Sequence, residues 1–295
     1  AVNRDSAGRE KRTAIREVLT QGYADLSPLK LESDGTRQLE RLVVSGHPAG
    51  FPAGGKGRVV NGHALPPPVG YRHYLEVMRS AAPEAGVDKE IDREALDDWA
   101  RAVLAAHGQF QLLCALRRGP WGVEGLNERI RAALEKEKLI DSGDGRRLWY
   151  PGRPVLVTRN DYGLGLMNGD IGITLALPDT TAPGEGAAHT QALRVAFPAG
   201  DGSGQIKWVL PSRLQAVETV FAMTVHKSQG SEFVHTALLL PDAPNPILTR
   251  ELVYTGITRA RHWLTLVETG RGQLLDAVER RVMRVSGLGR LSNSA

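Results

Sequence analysis

The spacing of apolar residues changes twice along this 295-residue chain. In the first half, apolar residues mostly recur every three or four positions, which predicts helices over 8–20, 71–80, 92–106 and 125–139. Asp92 is suited to cap the third of these helices. A short apolar run at 111–116 predicts a buried strand, and a strand followed by a loop and a helix is typical of a parallel α/β sheet.

From residue 147 to about 215, short β-like runs replace the helical spacing. They predict strands over 154–158, 170–177, 192–197 and 205–210. Asn168-Gly169 predicts a type I′ hairpin turn, because both central positions of that turn need a positive φ. We interpret this stretch as a small antiparallel β-barrel inserted into an α/β domain with a parallel sheet.

The predicted organisation has three parts. Residues 1–146 form the first part of the α/β domain, 147–215 the inserted barrel, and 216–295 the remainder of the domain with a last helix over 273–285. Residues 47–70 are rich in Pro and Gly, and we interpret them as a flexible insertion.

Part of that insertion, residues 50–57 (G-F-P-A-G-G-K-G), nearly matches the phosphate-binding pattern G-x-x-x-x-G-K-[S/T]. The last position is Gly57, so the hydroxyl that would hold Mg²⁺ is missing, and no helix is predicted to follow and receive phosphate. An acidic pair at the end of an apolar strand is also missing from the sequence. We therefore predict neither a phosphate cradle nor metal ligands in this chain.

Composition narrows the class of protein only modestly. A net charge of +4 permits nucleic-acid binding, and an aromatic content of 5% argues against a large base-stacking platform. The single cysteine, Cys114, excludes an intrachain disulfide and fits a reducing cytoplasm. No apolar run reaches the roughly 20 residues of a membrane span. The chain starts without methionine inside a basic, helix-like segment, and we expect it to be a fragment.

The most informative stretch is 221–233, F-A-M-T-V-H-K-S-Q-G-S-E-F. An apolar strand ends at Thr224, where a hydroxyl and backbone N–H groups can bind a phosphate backbone. His226 and Lys227 add donors, and Gln229 with Gly230 predicts a tight turn. Glu232 is placed to accept hydrogen bonds from a ribose.

A second stretch, 250–261 (R-E-L-V-Y-T-G-I-T-R-A-R), predicts a helix that Thr249 caps. Its spacing places Val253, Ile257 and Ala260 on a buried face and Arg259 on another. Arg259 is therefore predicted to reach into a cleft and stabilise charge on a phosphoryl group, as arginine fingers do. The ordinary alternative is a surface arginine paired with a carboxylate.

These two stretches resemble the last two motifs of superfamily-one DNA helicases. The amino-acid sequences of residues 111–130, 149–161 and 164–173 are similar to the carboxy-terminal half of RecD-type subunits of exodeoxyribonuclease V. The resemblance implies a RecA-like second motor domain interrupted by a small barrel. It also implies an ATP-dependent 5′→3′ helicase, a hydrolase that acts with RecB-like and RecC-like subunits in DNA double-strand break repair and recombination.

Site roles follow from the resemblance residue by residue. The resemblance assigns nucleotide binding to Gln229, Gly230, Glu232 and Arg259, with Arg259 as the catalytic residue that senses the γ-phosphate. It assigns single-stranded DNA binding to Thr224, His226 and Lys227, and we add Arg159, Asn160 and Lys207 of the predicted barrel. ATP and Mg²⁺ are the implied cofactors, with the Mg²⁺ ligands expected in an amino-terminal motor lobe outside this sequence. The chain alone is therefore predicted to be inactive, and the whole protein to be cytoplasmic.

Two other interpretations stay open. One is a stand-alone RecD-like helicase or the helicase part of a relaxase, which reuses similar motifs. The other is a non-catalytic lobe that only docks partner subunits, although intact Gln229, Glu232 and Arg259 argue against it.

Overall fold

The computed structural model describes residues 2–31, 36–52, 55–83, 92–178, 191–270 and 272–280. The helices are α1 (Val2–Gln21), α2 (Thr36–Ser45), α3 (Tyr71–Ser80), α4 (Arg93–His107), α5 (Val123–Lys136), α6 (Arg250–Ile257) and α7 (Gln273–Glu279). The strands are β1 (Leu26–Lys30), β2 (Arg58–Val60), β3 (His63–Leu65), β4 (Phe110–Cys114), β5 (Pro154–Val157), β6 (Ile171–Pro178), β7 (Gln191–Pro198), β8 (Ile206–Val209), β9 (Val217–Thr219), β10 (Ala222–Thr224), β11 (Phe233–Leu240) and β12 (Ala260–Glu268).

A five-stranded parallel sheet in the order β1-β12-β11-β4-β10 forms the centre of the fold. Its middle strand, β11, is buried along almost its whole length, as expected for a parallel sheet covered on both faces. The predicted α/β class with a parallel sheet is confirmed. The predicted helices over 71–80, 92–106 and 125–139 are also confirmed to within three residues at each end, and the Asp92 side chain caps α4 by accepting from the Glu94 N–H.

A second, antiparallel sheet occupies the stretch 147–215 predicted as a barrel and extends beyond it, because its last strand, β9, lies in the part predicted to belong to the α/β domain. Its strands run in the order β8-β7-β6-β5-β9, and all four strands predicted there are present. In the part of the chain that the structure describes, the end strands β8 and β9 do not pair with each other. The inserted unit is therefore an antiparallel sheet with two edges rather than the closed barrel we predicted.

One face of this antiparallel sheet packs on α4. Ile173, Leu175 and Ile206 join the same hydrophobic cluster as Trp99 and Val103 of that helix. The Trp208 indole N–H also donates to the Asp97 carboxylate, at 2.6 Å. Shared burial of this kind fixes the position of the inserted sheet against the parallel sheet.

The turn at Asn168-Gly169 differs from the prediction. Gly169 has a positive φ of 103°, but Asn168 does not share the left-handed region that a type I′ turn requires. The Asp170 N–H donates to the Met167 carbonyl at 3.0 Å. A glycine with positive φ at the third position of such a turn is typical of type II.

The interpretation of 47–70 as a flexible insertion is wrong for its described residues. They contain the hairpin of β2 and β3. Phe51 is 2% exposed and makes an edge contact with Trp263 of β12, with ring centroids 4.9 Å apart. The Trp263 indole N–H donates to the Pro66 carbonyl at 3.1 Å, and Arg58 donates to the His262 carbonyl at 2.9 Å. Pro and Gly set the turns of this segment, while distant residues of β12 hold it in place.

We expect Phe51→Ala to lower the free energy of unfolding by about 3–5 kcal/mol, because it removes a fully buried aromatic side chain. Val59→Ala is the matched control, since Val59 lies in the same segment and is 71% exposed. Its cost should stay within about 0.5 kcal/mol. Denaturant unfolding of both variants measures the difference, and equal small effects would restore the flexible interpretation.

Two buried histidines predict a loss of stability in acid. Burial lowers the pKa of His107 and of His235 to about 4, below the ordinary value of 6.5. The unfolded chain therefore binds more protons than the folded chain between those values, and stability should fall as pH drops through this window. We expect a loss of about 2 kcal/mol per histidine between pH 7 and pH 5. Unfolding curves of wild type and His107→Leu at both pH values test this, because the variant should lose less stability than the wild type.

Candidate nucleotide and nucleic-acid site

The residues of the predicted site lie at both ends of the strands of the parallel sheet. We call the carboxyl ends of these strands the carboxyl edge and their amino ends the amino edge. Thr224 ends β10 in register with Cys114 of β4, which is in register with Leu239 of β11. Phe233, the first residue of β11, pairs with Ala260, directly after Arg259. Phe233 precedes Leu239 by six residues, so the two edges are separated by about 20 Å along the strands. Residues 224–233, which we call the crossing segment, run from one edge to the other.

At the carboxyl edge, Thr224 is buried and begins a turn. Its carbonyl accepts from the Lys227 and Ser228 N–H groups at 3.0 and 3.2 Å, and its hydroxyl also accepts from the Lys227 N–H at 3.3 Å. The hydroxyl thus caps the turn. The sequence had suggested instead that it projects from the carboxyl edge. His226 is exposed. The buried Ser228 hydroxyl, which donates to the Val225 carbonyl at 2.8 Å, completes the turn.

The crossing segment then leaves the turn through Gln229 and Gly230, both exposed. Gly230 has a φ of 87°, in the left-handed region that favours glycine, so the predicted tight turn is confirmed.

At the amino edge, Arg259 lies in the turn between α6 and β12. The predicted helix over 250–261 ends at Ile257, because residues from Ala260 onward pair with β11. Ile257, predicted to be buried, is 39% exposed, while Leu252, Val253 and Gly256 form the buried face. Gly256 allows the close approach of α6 to the sheet, since a Cβ there would lie 2.8 Å from a Leu238 methyl group.

The Arg259 guanidinium is held by neutral oxygens. It donates to the Ser231 carbonyl at 3.0 Å, to the Thr255 carbonyl at 3.2 Å and to the Thr258 hydroxyl at 3.2 Å. Within the described ranges it forms no ion pair with a carboxylate. Its positive charge is therefore oriented but not neutralised by the chain.

Next to it, Arg261 donates to the Glu232 carboxylate at 3.1 Å. Both side chains are more than half exposed, so this ion pair contributes about 0–1 kcal/mol. Together, the Ser231–Arg259 and Glu232–Arg261 contacts bring the two sequence motifs into one cluster at the amino edge.

The three residues assigned to the inserted sheet gather around one loop, residues 158–170. The Lys207 ammonium donates to the Gly165 carbonyl at 2.7 Å. The Asn160 side-chain oxygen accepts from the Asn168 N–H at 2.8 Å, and its amide donates to the Tyr162 hydroxyl at 3.1 Å. Arg159 is exposed. Asn160 and Lys207 therefore stabilise the loop, while Arg159 faces solvent.

Sequence reasoning missed Asn127, which supports the Thr224 edge. Its side-chain oxygen accepts from the Ala222 N–H at 3.0 Å, and its amide donates to the Ala222 carbonyl at 3.3 Å. These are the contacts that another strand would make, so Asn127 satisfies the open edge of β10. The available signal was a mid-helix Asn beside the apolar face of α5, where asparagine is otherwise unfavourable.

No group of three or more His, Cys, Asp or Glu side chains among the described residues is arranged to hold a metal ion. No helix in the same part of the chain is long and apolar enough to cross a membrane.

Comparison with known proteins first defines the class. The family model of the UvrD-like helicase C-terminal domain matches residues 219–267, which include the crossing segment, α6 and most of β12. The stretch that carries both motifs is thus similar to a UvrD-like helicase C-terminal domain.

Individual relatives match more of the chain than the family model does. The chain is 35% identical over 225 residues to the RecBCD enzyme subunit RecD of Haemophilus influenzae, covering 75% of this chain and 31% of that protein. It is 41% identical over 191 residues to RecD of Mycolicibacterium smegmatis, covering 64% and 30%. The ATP-dependent RecD2 DNA helicase of Deinococcus radiodurans is 34% identical over 161 residues, covering 54% and 20%. The chain is a homologue of the RecD subunits and spans about a third of their length.

We expect Asn127→Ala to lower the free energy of unfolding by about 1–3 kcal/mol for each buried Ala222 group left without a partner. Asn127→Asp keeps an acceptor for the Ala222 N–H but turns a carboxylate oxygen toward the Ala222 and Val123 carbonyls, so it should also lose stability. Denaturant unfolding measures both variants. Unchanged stability in either one would contradict the role of Asn127 as a substitute strand.

Proposed function

We propose that this chain is the carboxy-terminal motor lobe of an ATP-dependent 5′→3′ DNA helicase subunit that works in a RecBCD-type complex on DNA double-strand breaks. The observation that carries the proposal is the cluster at the amino edge, where Arg259 and Arg261 contact Ser231 and Glu232 of the crossing segment. Residues predicted separately from two distant motifs meet there. Similarity to RecD subunits supports the same role.

In this proposal, the nucleotide binds at the amino edge of the parallel sheet. A guanidinium bound only to neutral oxygens retains its charge for the γ-phosphate of ATP, which supplies the phosphoryl group that is hydrolysed. Arg259 holds the phosphate and stabilises the charge that develops on it. Glu232 accepts from the ribose, and Gln229 with Gly230 lines the nucleotide. The phosphate cradle and the Mg²⁺ ligands must come from an amino-terminal motor lobe, since no G-x-x-x-x-G-K-[S/T] is present in these 295 residues.

Single-stranded DNA binds at the carboxyl edge of the parallel sheet. Thr224 positions the turn from which His226 and Lys227 contact the DNA phosphates, and Arg159 extends the path along the inserted sheet from the loop that Asn160 and Lys207 hold. The crossing segment joins the two edges covalently over about 20 Å. A change in nucleotide contacts at Glu232 is thereby transmitted to DNA contacts at Thr224.

A RecBCD-type assembly with RecB-like and RecC-like partners is preferred over a stand-alone helicase. The two RecD subunits match 64–75% of this chain, whereas the RecD2 helicase matches 54%. The cytoplasm is the compartment that fits a DNA-processing role.

In the full-length protein, Arg259→Ala should reduce ATP turnover by about 10³-fold or more, because arginine fingers contribute about 10³–10⁵. Single-stranded DNA affinity should survive, since DNA contacts lie at the other edge. Loss of the three Arg259 hydrogen bonds should cost about 1–3 kcal/mol of stability. Arg259→Lys should rescue turnover poorly, because an ammonium lacks the planar fork. Turnover and DNA affinity are measured in parallel.

Arg250→Ala is the matched control, because Arg250 is half exposed at the start of α6 and its ion pair within the described ranges is with the neighbouring Glu251. It should leave turnover unchanged. The isolated 295-residue chain should show no turnover. Normal turnover in Arg259→Ala would end the arginine-finger assignment, and turnover by the isolated chain would end the proposed division between two lobes.

A further inference from the structure

Arg153 is a buried cation without an anionic partner. It is 5% exposed, and within the described part of the chain no carboxylate forms an ion pair with it. Its Nε donates to the Thr219 hydroxyl at 2.9 Å, and its guanidinium lies over the Trp149 ring, 4.5 Å from the centroid. One buried terminal nitrogen, Nη1, has no hydrogen-bond partner among the residues that the structure describes. A buried charge left in this state is costly, which calls for a compensating ligand.

The Arg153 side chain lines a pocket of about 210 Å³ between α5, residues 145–153 and β9. Two other arginines line it, but both have carboxylate partners. Arg131 pairs with Glu128 and Glu135, and Arg147 pairs with Asp141. Glu124 and Glu128, the acidic lining residues, are each about two-thirds exposed. The uncompensated charge in the pocket is therefore that of Arg153.

We propose that this pocket binds a phosphate group through Arg153. A planar guanidinium suits the geometry of phosphate oxygens. The pocket is smaller than the roughly 300–1,000 Å³ typical of sites for whole small molecules. It therefore fits one inorganic phosphate or one phosphodiester of a nucleic-acid backbone rather than a complete nucleotide.

The pocket lies where the inserted sheet joins the α/β domain, so a phosphate bound there contacts both parts. Arg153 directly precedes β5 and Thr219 ends β9, so their contact lies where the chain enters and leaves the inserted sheet. The Val220 N–H also donates to the Pro154 carbonyl at this junction, at 3.1 Å. A bound phosphate joins α5 to both strands and fixes the inserted sheet relative to the parallel sheet.

The first test measures thermal unfolding of the full-length protein in sodium phosphate and in sodium chloride of equal ionic strength. Phosphate should raise the Tm of the wild type in a saturable way, because a ligand that binds only the folded state stabilises it. Arg153→Met keeps the side-chain length without the charge and should abolish the rise. Arg146→Met is the control, since Arg146 lies nearby but is 83% exposed, and it should keep the rise.

Arg153→Lys covers the case in which the methionine variant does not fold. It keeps the charge without the fork, and its apparent affinity for phosphate should fall about tenfold. An unchanged affinity in Arg153→Lys, or an equal phosphate effect in wild type and Arg153→Met, overturns the proposal.

A second arm identifies the source of the phosphate. With a twelve-residue oligothymidylate, loss of one backbone contact in Arg153→Met should reduce the slope of log affinity against log salt by about one. If the slope is unchanged while the inorganic phosphate effect is lost, the site takes free phosphate. No Arg153-dependent response to either probe overturns the site. Neither arm measures ATP turnover, so failure here is distinguishable from failure of the proposed helicase function.

Discussion

The burial of β11 between two parallel neighbours is the constraint on which the rest of the structure depends. Residues from His235 to Leu240 are buried and pair with β12 on one side, and those from His235 to Leu239 also pair with β4 on the other. A one-residue slip would turn every side chain of β11 to the opposite face. This register fixes the turn that carries Arg259 at the amino end of β11. Through β4, it also fixes the level of Thr224 at the carboxyl end. The separation of about 20 Å between the two halves of the candidate site is thus set by the packing of one strand.

Most regular elements were predictable because their signals are local. Strands β5 to β8 of the inserted sheet and helices α3, α4 and α5 follow from apolar spacing and a cap, which involve only residues close in sequence. The helix at 250–261 was predicted too long because pairing with β11, a tertiary contact, converts residues from Ala260 onward into strand. The hairpin at 58–65 was missed because Trp263, about 200 positions away, supplies its packing. Whether the inserted sheet closes into a barrel likewise depends on pairing between β8 and β9, its two end strands.

The candidate site divides in the same way. The sequence predicted which residues would carry the chemistry, since Thr224, Glu232 and Arg259 stand within recognisable motifs. It could not show the bonds that orient them. The Ser231 carbonyl that holds Arg259 and the Thr224 hydroxyl that caps its own turn depend on backbone geometry. Side-chain roles that arise from unusual burial, as for Asn127 and Arg153, became visible only when the surrounding surface was known.

Those two side chains act on neighbouring points of the chain. Arg153 contacts Thr219, and Asn127 contacts both backbone groups of Ala222, so the contacts lie three residues apart and directly precede Thr224. Both contacts use polar groups in a buried setting, where a misaligned partner costs more than it does in water. Movement of α5 or of the inserted sheet must therefore displace β10 or break one of these contacts. Because β10 is an edge strand of only three residues, it has few ladder bonds to resist such displacement. Short pairing and two polar contacts make the Thr224 edge the part of the parallel sheet most responsive to the position of the inserted sheet.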